Sequence, residues 1–238
     1  MPSEARPSLG VIMLDTKFKR VLGDIGNPDS FDFPVLYQKV PEAEVHRIIS
    51  SGSIDDLLPA FIEAAKTLEH RGAQAITTSC GFLSLLQTQL AKAVEVPLLT
   101  SSLSLVPDIY HAQGAKPLVI VTASRENLTW DHLYAVGILP DWDIHIIGME
   151  TCPAFRKSIL SDGDPEAITL DPQALQNELV TLCQSSLIEH PDTAGFLFEC
   201  TNLQPYAAAV QSACQRPVWG INDVIARLNP SFCMGETS

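Results

Sequence analysis

Two cysteines, Cys80 and Cys200, stand where reactive side chains are expected. Each follows an apolar run that predicts a buried strand, and each precedes a segment with helical periodicity. Such a junction exposes a side chain at the edge of a sheet, where the free N–H groups and positive dipole end of the next helix also point. That field favours a thiolate, lowering a cysteine pKa that starts near ~8.5, and the N–H groups would bind a carboxylate. The alternative is that both are buried core cysteines.

Small or polar residues surround these cysteines and end other predicted strands. Gly81 would let backbone approach a ligand closely, and Phe82 would either narrow the cleft or fill the core. Glu199 is expected to form an ordinary salt bridge. The candidate substrate-binding residues are Asp15, Asn27, Ser79, Gly81, Phe82, Thr122, Ser124, Thr201 and Asn202. For Asn27 the alternative is a simple turn, and for Thr122 and Ser124 it is a hydroxyl cap.

The remaining cysteines lack this context and are interpreted as structural or incidental. They are Cys152, Cys183, Cys214 and Cys233. There is no CxxC pair and no apolar core near the N-terminus that would make an export signal, so reduced thiols and a cytoplasmic protein are expected. The longest early apolar run, Val11 to Leu14, is far too short to span a membrane.

Strand-like and helix-like segments alternate along the chain, which predicts an α/β fold with a largely parallel sheet. The helix signals include an N-cap at Ser53, a stop at Gly72 and the pair Asp171-Pro172 as N-cap and first-turn proline. The predicted strands are Leu9–Leu14, Val35–Val40, Gln74–Thr78, Val96–Thr100, Pro117–Thr122, Ile144–Gly148, Gly195–Glu199 and Pro217–Ile221.

An internal repeat divides this pattern. Cys80 precedes Pro97 by the same 17 residues that separate Cys200 from Pro217, within matching strand–helix–strand units. Eight strands would also suit a (β/α)8 barrel. The repeat instead favours two pseudo-symmetric, doubly wound halves with the two cysteines across one cleft. The predicted division is residues 1–103 plus 217–238 for the first half and 104–216 for the second.

Composition excludes several classes of function. Of the 238 residues, 46% are hydrophobic and 18% are charged, which excludes a disordered chain. The net charge of −13 disfavours nucleic-acid binding. No HExxH, HxH, GxSxG, GxGxxG or GxxxxGK[ST] motif supports a metal site, a hydrolase elbow or a nucleotide cofactor.

At the cysteines the sequence resembles the aspartate/glutamate racemase superfamily, and within it the uncharacterised racemase-like members. The resemblance covers nearly the whole chain and is carried by Asp15-Thr16, by TTSCGF around Cys80, by VTAS and by FECTN around Cys200. It implies a cofactor-independent enzyme of a small carboxylate, without metal or pyridoxal, that forms a homodimer. One cysteine thiolate would remove the proton alpha to the carboxylate, and the other cysteine would deliver a proton from the opposite face.

Departures from that pattern leave the reaction open. Glutamate racemases have Asn-Thr where this chain has Gly81-Phe82, and a histidine where it has Asn202. The first hypothesis is therefore a racemase or epimerase of unassigned substrate. The second is a lyase or decarboxylase, because the superfamily includes arylmalonate decarboxylases and algal-type dimethylsulfoniopropionate lyases, and the stretch LGDIGNPDSFDFPV faintly resembles the lyases. The third is a non-catalytic protein that binds a small ligand.

Overall fold

The computed structural model describes residues 7–50, 54–161 and 170–232. In these ranges the chain forms two parallel sheets covered by helices, which confirms the predicted α/β class. The strands are β1 (Leu9–Met13), β2 (Val35–Lys39), β3 (Ala75–Thr78), β4 (Leu118–Thr122), β5 (Ile144–Gly148), β6 (Gly195–Phe198) and β7 (Val218–Trp219).

The helices are mostly short, and several begin with a turn of 3-10 helix. The α-helices are α1 (Val45–Ser50), α2 (Leu58–His70), α3 (Gln87–Ala91), α4 (Val106–Ala112), α5 (Trp130–Tyr134), α6 (Pro153–Ser158), α7 (Pro172–Glu189), α8 (Ala207–Cys214) and α9 (Ile221–Leu228). The 3-10 segments are Pro28–Ser30, Asp55–Leu57, Gly81–Leu86, Ser102–Leu105, Met149–Thr151, Thr201–Tyr206 and Pro230–Phe232. In the described part of the chain, none of these helices combines the length and apolar character needed to cross a bilayer.

Two of the three predicted helix-end signals lie in described residues, and both are confirmed. The Asp171 side chain accepts a hydrogen bond from the Ala174 amide, with Pro172 in the first turn of α7. Gly72 follows α2 with a φ of +94°, a conformation that glycine adopts without strain. The predicted N-cap at Ser53 lies outside the described residues.

The two sheets repeat one strand order. The first sheet runs β2-β1-β3 and the second β5-β4-β6-β7, with parallel neighbours throughout. A parallel bridge between Ile76 and Leu98 gives the first sheet a fourth position that corresponds to β7. The internal repeat is thus visible in the topology.

The predicted strand Val96–Thr100 is reduced to this bridge. The Ile76 amide donates to the Pro97 carbonyl, and the Leu99 amide donates back to Ile76. Pro97 has no amide hydrogen to extend the ladder. The Thr100 amide then donates to the Gln87 side chain, 2.8 Å away, instead of to a strand.

In each half, the segment that follows the last strand or bridge packs against the other half. Ser102, which follows the bridge of the first half, donates a 2.6 Å hydrogen bond to the Phe198 carbonyl of β6. In the same way α9, which follows β7, packs against β3 and the turn Ser102–Leu105. The predicted division assigned residues 217–238 wholly to the first half, and this is corrected for β7, because its backbone pairs with β6. The domain division otherwise stays a prediction.

Candidate active site

A small, narrow cavity lies where the carboxyl ends of β1, β3, β4 and β6 meet. Both Cys80 and Cys200 line it, as the repeat predicts. The centre of a water molecule can move within only about 20 Å³ of this space, which is room for about one water molecule. The lining residues are Leu14, Thr16, Arg20, Val45, Ile49, Ser79, Cys80, Gly81, Phe82, Ala123, Ile159, Glu199, Cys200, Thr201 and Asn202.

Each cysteine is the last residue before a 3-10 segment, so backbone amides point at its sulfur. The Phe82 amide supports a thiolate at Cys80, and the Asn202 amide supports one at Cys200. The Asn202 side chain adds a contact, with its Nδ2 3.6 Å from the Cys200 Sγ. Cys200 thus has two hydrogen-bond donors for its thiolate, whereas Cys80 has one.

The predicted lowering of the cysteine pKa values is wrong for this narrow cavity. Burial, together with the nearby Glu199 carboxylate, raises the pKa of the Cys200 thiol to about 12. Burial and then Glu199 also raise the pKa of the Cys80 thiol well above its usual range. The helical amides favour the thiolates, but desolvation outweighs them. Because both thiol pKa values are raised, the protonated form of each cysteine is favoured at neutral pH.

Ser79 and Thr201 join the two strand ends directly. The Thr201 Oγ1 donates a 2.7 Å hydrogen bond to the Ser79 carbonyl. The Ser79 Oγ in turn accepts from the Leu14 amide at 3.1 Å, which ties β1 to the same point. Both residues line the cavity, and their hydroxyls hold the walls in place.

Glu199 differs from the expected salt-bridged residue, because no cation pairs with it among the described residues. Its side chain is fully buried, and its Oε2 accepts a 2.7 Å hydrogen bond from Thr122. Within the same residues its Oε1 has no hydrogen-bond partner. Burial raises the pKa of this carboxyl to about 7, although hydrogen bonds from Thr122 and the Ala123 amide oppose the shift. Sequence context could not show this, because an alternating strand pattern also allows an outward-facing carboxylate.

Gly81 and Thr122 both lie against this carboxyl group. A Cβ atom on Gly81 would overlap the Glu199 backbone oxygen and its Oε1. The absence of a side chain therefore lets the strand end that carries Glu199 approach Cys80. Thr122, a predicted binding residue, lies behind the cavity wall and binds Glu199.

Arg20 brings a positive charge into the cavity and was not among the predicted residues. Its Nη1 lies 2.8 Å from the Asp24 Oδ1 and 3.0 Å from the Asn202 Oδ1, and its Nη2 donates to Thr16 at 2.9 Å. Three of the five guanidinium N–H groups are therefore engaged in the described residues. The sequence around it, TKFKR, offered no feature that separates Arg20 from its two neighbouring lysines.

Asn202 connects that cation to a thiol. Its Oδ1 accepts from Arg20, while its Nδ2 faces the Cys200 Sγ. A ligand carboxylate held at Arg20 would therefore lie beside Cys200. The position was predicted from sequence, and the hydrogen-bond pattern gives it a specific role.

Besides Thr122, three predicted binding residues do not line the cavity. Asp15 pairs with Lys39 at 3.0 Å near the surface. Asn27 caps the turn Pro28–Ser30, and its Nδ2 donates to the Arg20 carbonyl at 3.2 Å. The Ser124 Oγ accepts a 2.9 Å hydrogen bond from the Asn127 side chain. Asn27 still contributes indirectly, since it fixes the backbone of Arg20.

Apolar side chains make up the rest of the lining. Val45 and Ile49 come from α1, and Ile159 follows α6. Phe82 is buried against the edge of the His132 ring, with 5.1 Å between ring centroids. Because these groups exclude water, charge inside the cavity is weakly screened.

The other described cysteines lie away from this cavity. Cys152, Cys183 and Cys214 are buried and unpaired, consistent with their structural interpretation. Cys233 lies outside the described residues. In the ranges that the structure describes, no group of three or more His, Cys, Asp or Glu side chains is arranged to hold a metal ion.

Sequence relatives identify the family. No protein-family model matches the chain. It is 31% identical over 225 residues to the dimethylsulfoniopropionate lyase of Durusdinium sp. clade D, covering 92% of this chain and 72% of that protein. It is 33% identical over 241 residues to dimethylsulfoniopropionate lyase 3 of Emiliania huxleyi, covering 95% of this chain but 61% of that longer protein. The chain belongs to the family of these dimethylsulfoniopropionate lyases.

Solved structures with the same fold include an arylmalonate decarboxylase and an aspartate racemase. Arylmalonate decarboxylase superposes with a TM-score of 0.59 at 18% identity, covering 94% of this chain and 93% of that one. The aspartate racemase of Picrophilus torridus superposes with a TM-score of 0.59 at 14% identity, covering 96% and 95%. At these identities the likeness establishes the fold, and it confirms the racemase-like architecture predicted from the sequence.

Proposed function

We propose that this protein is a lyase that removes the proton alpha to a carboxylate and expels a leaving group from the next carbon. Dimethylsulfoniopropionate is the proposed substrate. The observation that carries the proposal is the cavity itself, which combines two thiols and a guanidinium in a chain whose relatives are dimethylsulfoniopropionate lyases. The proposed reaction needs no group beyond the side chains of this chain.

Arg20 is the proposed anchor for the carboxylate. A guanidinium presents N–H donors in a plane that matches the two oxygens of a carboxylate. The Thr16, Asp24 and Asn202 contacts hold the Arg20 side chain in one orientation. As negative charge moves onto the carboxylate during proton removal, the same donors stabilise the enolate-like state.

Cys200 is the proposed base. It lies beside the anchor through Asn202, and its thiolate has the larger number of donors. The thiolate bonds to the alpha proton, and the electron pair of the C–H bond forms the new C=C bond. The C–S bond then breaks, and its electron pair leaves with the sulfur as dimethyl sulfide. The remaining product is acrylate.

A substrate sulfonium would also help to create that thiolate. In the narrow cavity, burial and the Glu199 carboxylate oppose a second negative charge. A cation beside the Cys200 sulfur stabilises the thiolate and lowers the thiol pKa. The sulfonium of the substrate thus promotes ionisation of the Cys200 thiol, and the resulting thiolate starts the elimination of dimethyl sulfide.

Racemisation is the second candidate, although the sequence hypothesis placed it first. Two thiols on one cavity suit a two-base exchange of an alpha proton. The relatives favour elimination, and elimination needs only one base. The two reactions differ in what they require of Cys80, which makes them separable.

The test is a substrate panel followed by proton NMR in D2O. It includes dimethylsulfoniopropionate, both enantiomers of aspartate and glutamate, and an arylmalonate. We expect acrylate and dimethyl sulfide from the first compound alone. Deuterium exchange with inversion of an amino acid would support racemisation instead. Binding without any reaction, detected as a ligand-induced rise in melting temperature, would support a binding protein.

A further inference from the structure

Glu199 is a buried acid that the proposed elimination step does not use. It precedes Cys200 in the chain, and its Oε1 packs against Gly81, the residue after Cys80. Both thiols therefore lie close to one carboxyl group. That group has one oxygen bound to Thr122 and, in the part of the chain that the structure describes, the other without a partner. A buried carboxylate oxygen without a hydrogen-bond partner costs free energy and therefore calls for an explanation.

The surroundings of Glu199 define what it can exchange a proton with. The titratable or charged groups that line the same cavity are Cys80, Cys200 and Arg20. Asp24 lies behind Arg20 and pairs with it, and His132 lies behind Phe82. The helices α1 and α6 contribute apolar side chains. Within the described lining, the thiols are the proton donors next to Glu199.

We propose that Glu199 accepts a proton from the Cys80–Cys200 thiol pair and so generates the thiolate that begins the reaction. In the resting enzyme the cavity holds its one negative charge on Glu199. When substrate binds, an S–H bond breaks, the electron pair stays on sulfur, and the proton bonds to the carboxylate. Glu199 acts through the thiols and does not touch the substrate.

The proton balance agrees with this role, which rests on the proposed function. A neutral zwitterion that becomes an acrylate anion and neutral dimethyl sulfide releases one proton. After elimination the thiol carries the alpha proton and Glu199 carries the proton that the thiol gave up. Glu199 must then release that proton to solvent before the next turnover. Its pKa of about 7 suits both steps at neutral pH.

The experiment measures how fast iodoacetamide alkylates Cys80 and Cys200 as a function of pH, with each site resolved by peptide mass spectrometry. This readout needs no substrate, so it remains informative if the lyase proposal fails. In the wild type we expect both alkylation rates to rise through a midpoint near pH 7 and then level off. In Glu199→Gln this midpoint should disappear, and the rates should keep rising into the alkaline range.

A second variant tests the same point without removing the carboxylate. Thr122→Val deletes the hydrogen bond that favours ionised Glu199. We expect the midpoint to move up by about one pH unit. Glu150→Gln is the matched control, because Glu150 also follows a strand and has an unpartnered buried oxygen but does not line the cavity. It should leave the midpoint in place.

Two alkylation results would overturn the proposal, and so would one result of the lyase assay. One is a midpoint near pH 7 that survives in Glu199→Gln. The other is a Glu199→Gln profile that is lower by the same factor at every pH, which would indicate a structural role. A lyase with normal pH dependence but a raised KM in Glu199→Gln would likewise show that the carboxylate binds the substrate cation instead.

Discussion

Arg20 determines how this site would recognise a carboxylate. Lysine at this position would keep the charge but lose the planar set of donors that contacts Thr16, Asp24 and Asn202. For Arg20→Lys we expect KM for dimethylsulfoniopropionate to rise about 10- to 100-fold, in line with the loss of a charge-assisted hydrogen bond.

Initial rates of dimethyl sulfide release measure this KM. Asp15→Asn is the control, because Asp15 pairs with Lys39 outside the cavity. An Arg20→Lys enzyme with the KM of the wild type would show that the carboxylate is bound elsewhere.

Glu199 also has a consequence for stability. Its folded pKa of about 7 lies above the ordinary value of 4.5. Because the folded state binds the proton more tightly, this group stabilises the fold below pH 4.5. That contribution is lost as the pH rises towards 7. The full shift corresponds to roughly 3 kcal/mol.

Glu199→Gln should therefore be more stable than the wild type at pH 8, and the advantage should shrink towards pH 5. Urea unfolding at the two pH values measures this difference. Equal stability of the two proteins at pH 8 would mean that the buried carboxylate is not destabilising.

At the scale of elements, the site depends on how closely β3 and β6 end beside one another. Gly81 sits at that contact, and an added Cβ would overlap the backbone of Glu199. We expect Gly81→Ala to lower the free energy of unfolding by about 2 to 3 kcal/mol through overpacking. It should also reduce activity, because Glu199 must move away from Cys80.

Gly72→Ala is the matched control for that substitution. Gly72 has a positive φ but no neighbouring atoms around an added Cβ. Only the local conformational strain of about 1 to 2 kcal/mol should appear there, with activity per folded molecule unchanged. Thermal or urea unfolding alongside turnover separates the two effects, and a fully active Gly81→Ala enzyme would contradict this role of the contact.

Several elements could be predicted from the sequence because their signals are local. The apolar runs of β4 and β6 and the Asp171-Pro172 start of α7 depend only on neighbouring residues. The strand at residues 96–100 could not be predicted well, because a distant side chain, Gln87, takes the amide that a strand partner would have bound.

The site shows the same division between local and distant information. Cys80 and Cys200 were predictable from their repeated context at strand ends. Arg20 was not, because its place in the cavity depends on Asn202, 182 residues away. The predicted salt bridge of Glu199 was wrong, because the burial of this side chain depends on Gly81, in the other half of the molecule.

At the scale of the whole molecule, the net charge of the protein favours substrates without a net negative charge. The net charge of −13 repels anions at long range. A zwitterion with no net charge does not feel that repulsion, whereas aspartate and glutamate each carry a net negative charge. We expect kcat/KM for dimethylsulfoniopropionate to change less than about twofold between ~0.02 and ~0.5 M salt.

An increase of kcat/KM with salt would contradict this expectation, because screening of the protein's negative charge brings no gain to a substrate without net charge. Stopped assays at constant pH with two different salts provide the control for specific ion effects. The same measurements at several protein concentrations would test the homodimer, which stays a prediction.

The small volume of the cavity implies that it must widen to admit substrate. The free space is about 20 Å³, whereas small-molecule sites typically offer at least ~300 Å³. The apolar residues Val45, Ile49 and Ile159 line one side of this space. Their separation from the thiols during binding would let the substrate in, and their return would exclude water.

The most direct test follows dimethylsulfoniopropionate by proton NMR with the wild type, Cys200→Ser and Cys80→Ser in parallel. With the wild type we expect the vinyl signals of acrylate to appear at the rate at which dimethyl sulfide is released. In Cys200→Ser the rate should fall by a factor of about 10² to 10⁴, the contribution of a general base, and in Cys80→Ser the fall should be smaller. No acrylate from the wild type, or full activity without Cys200, would contradict the proposed lyase.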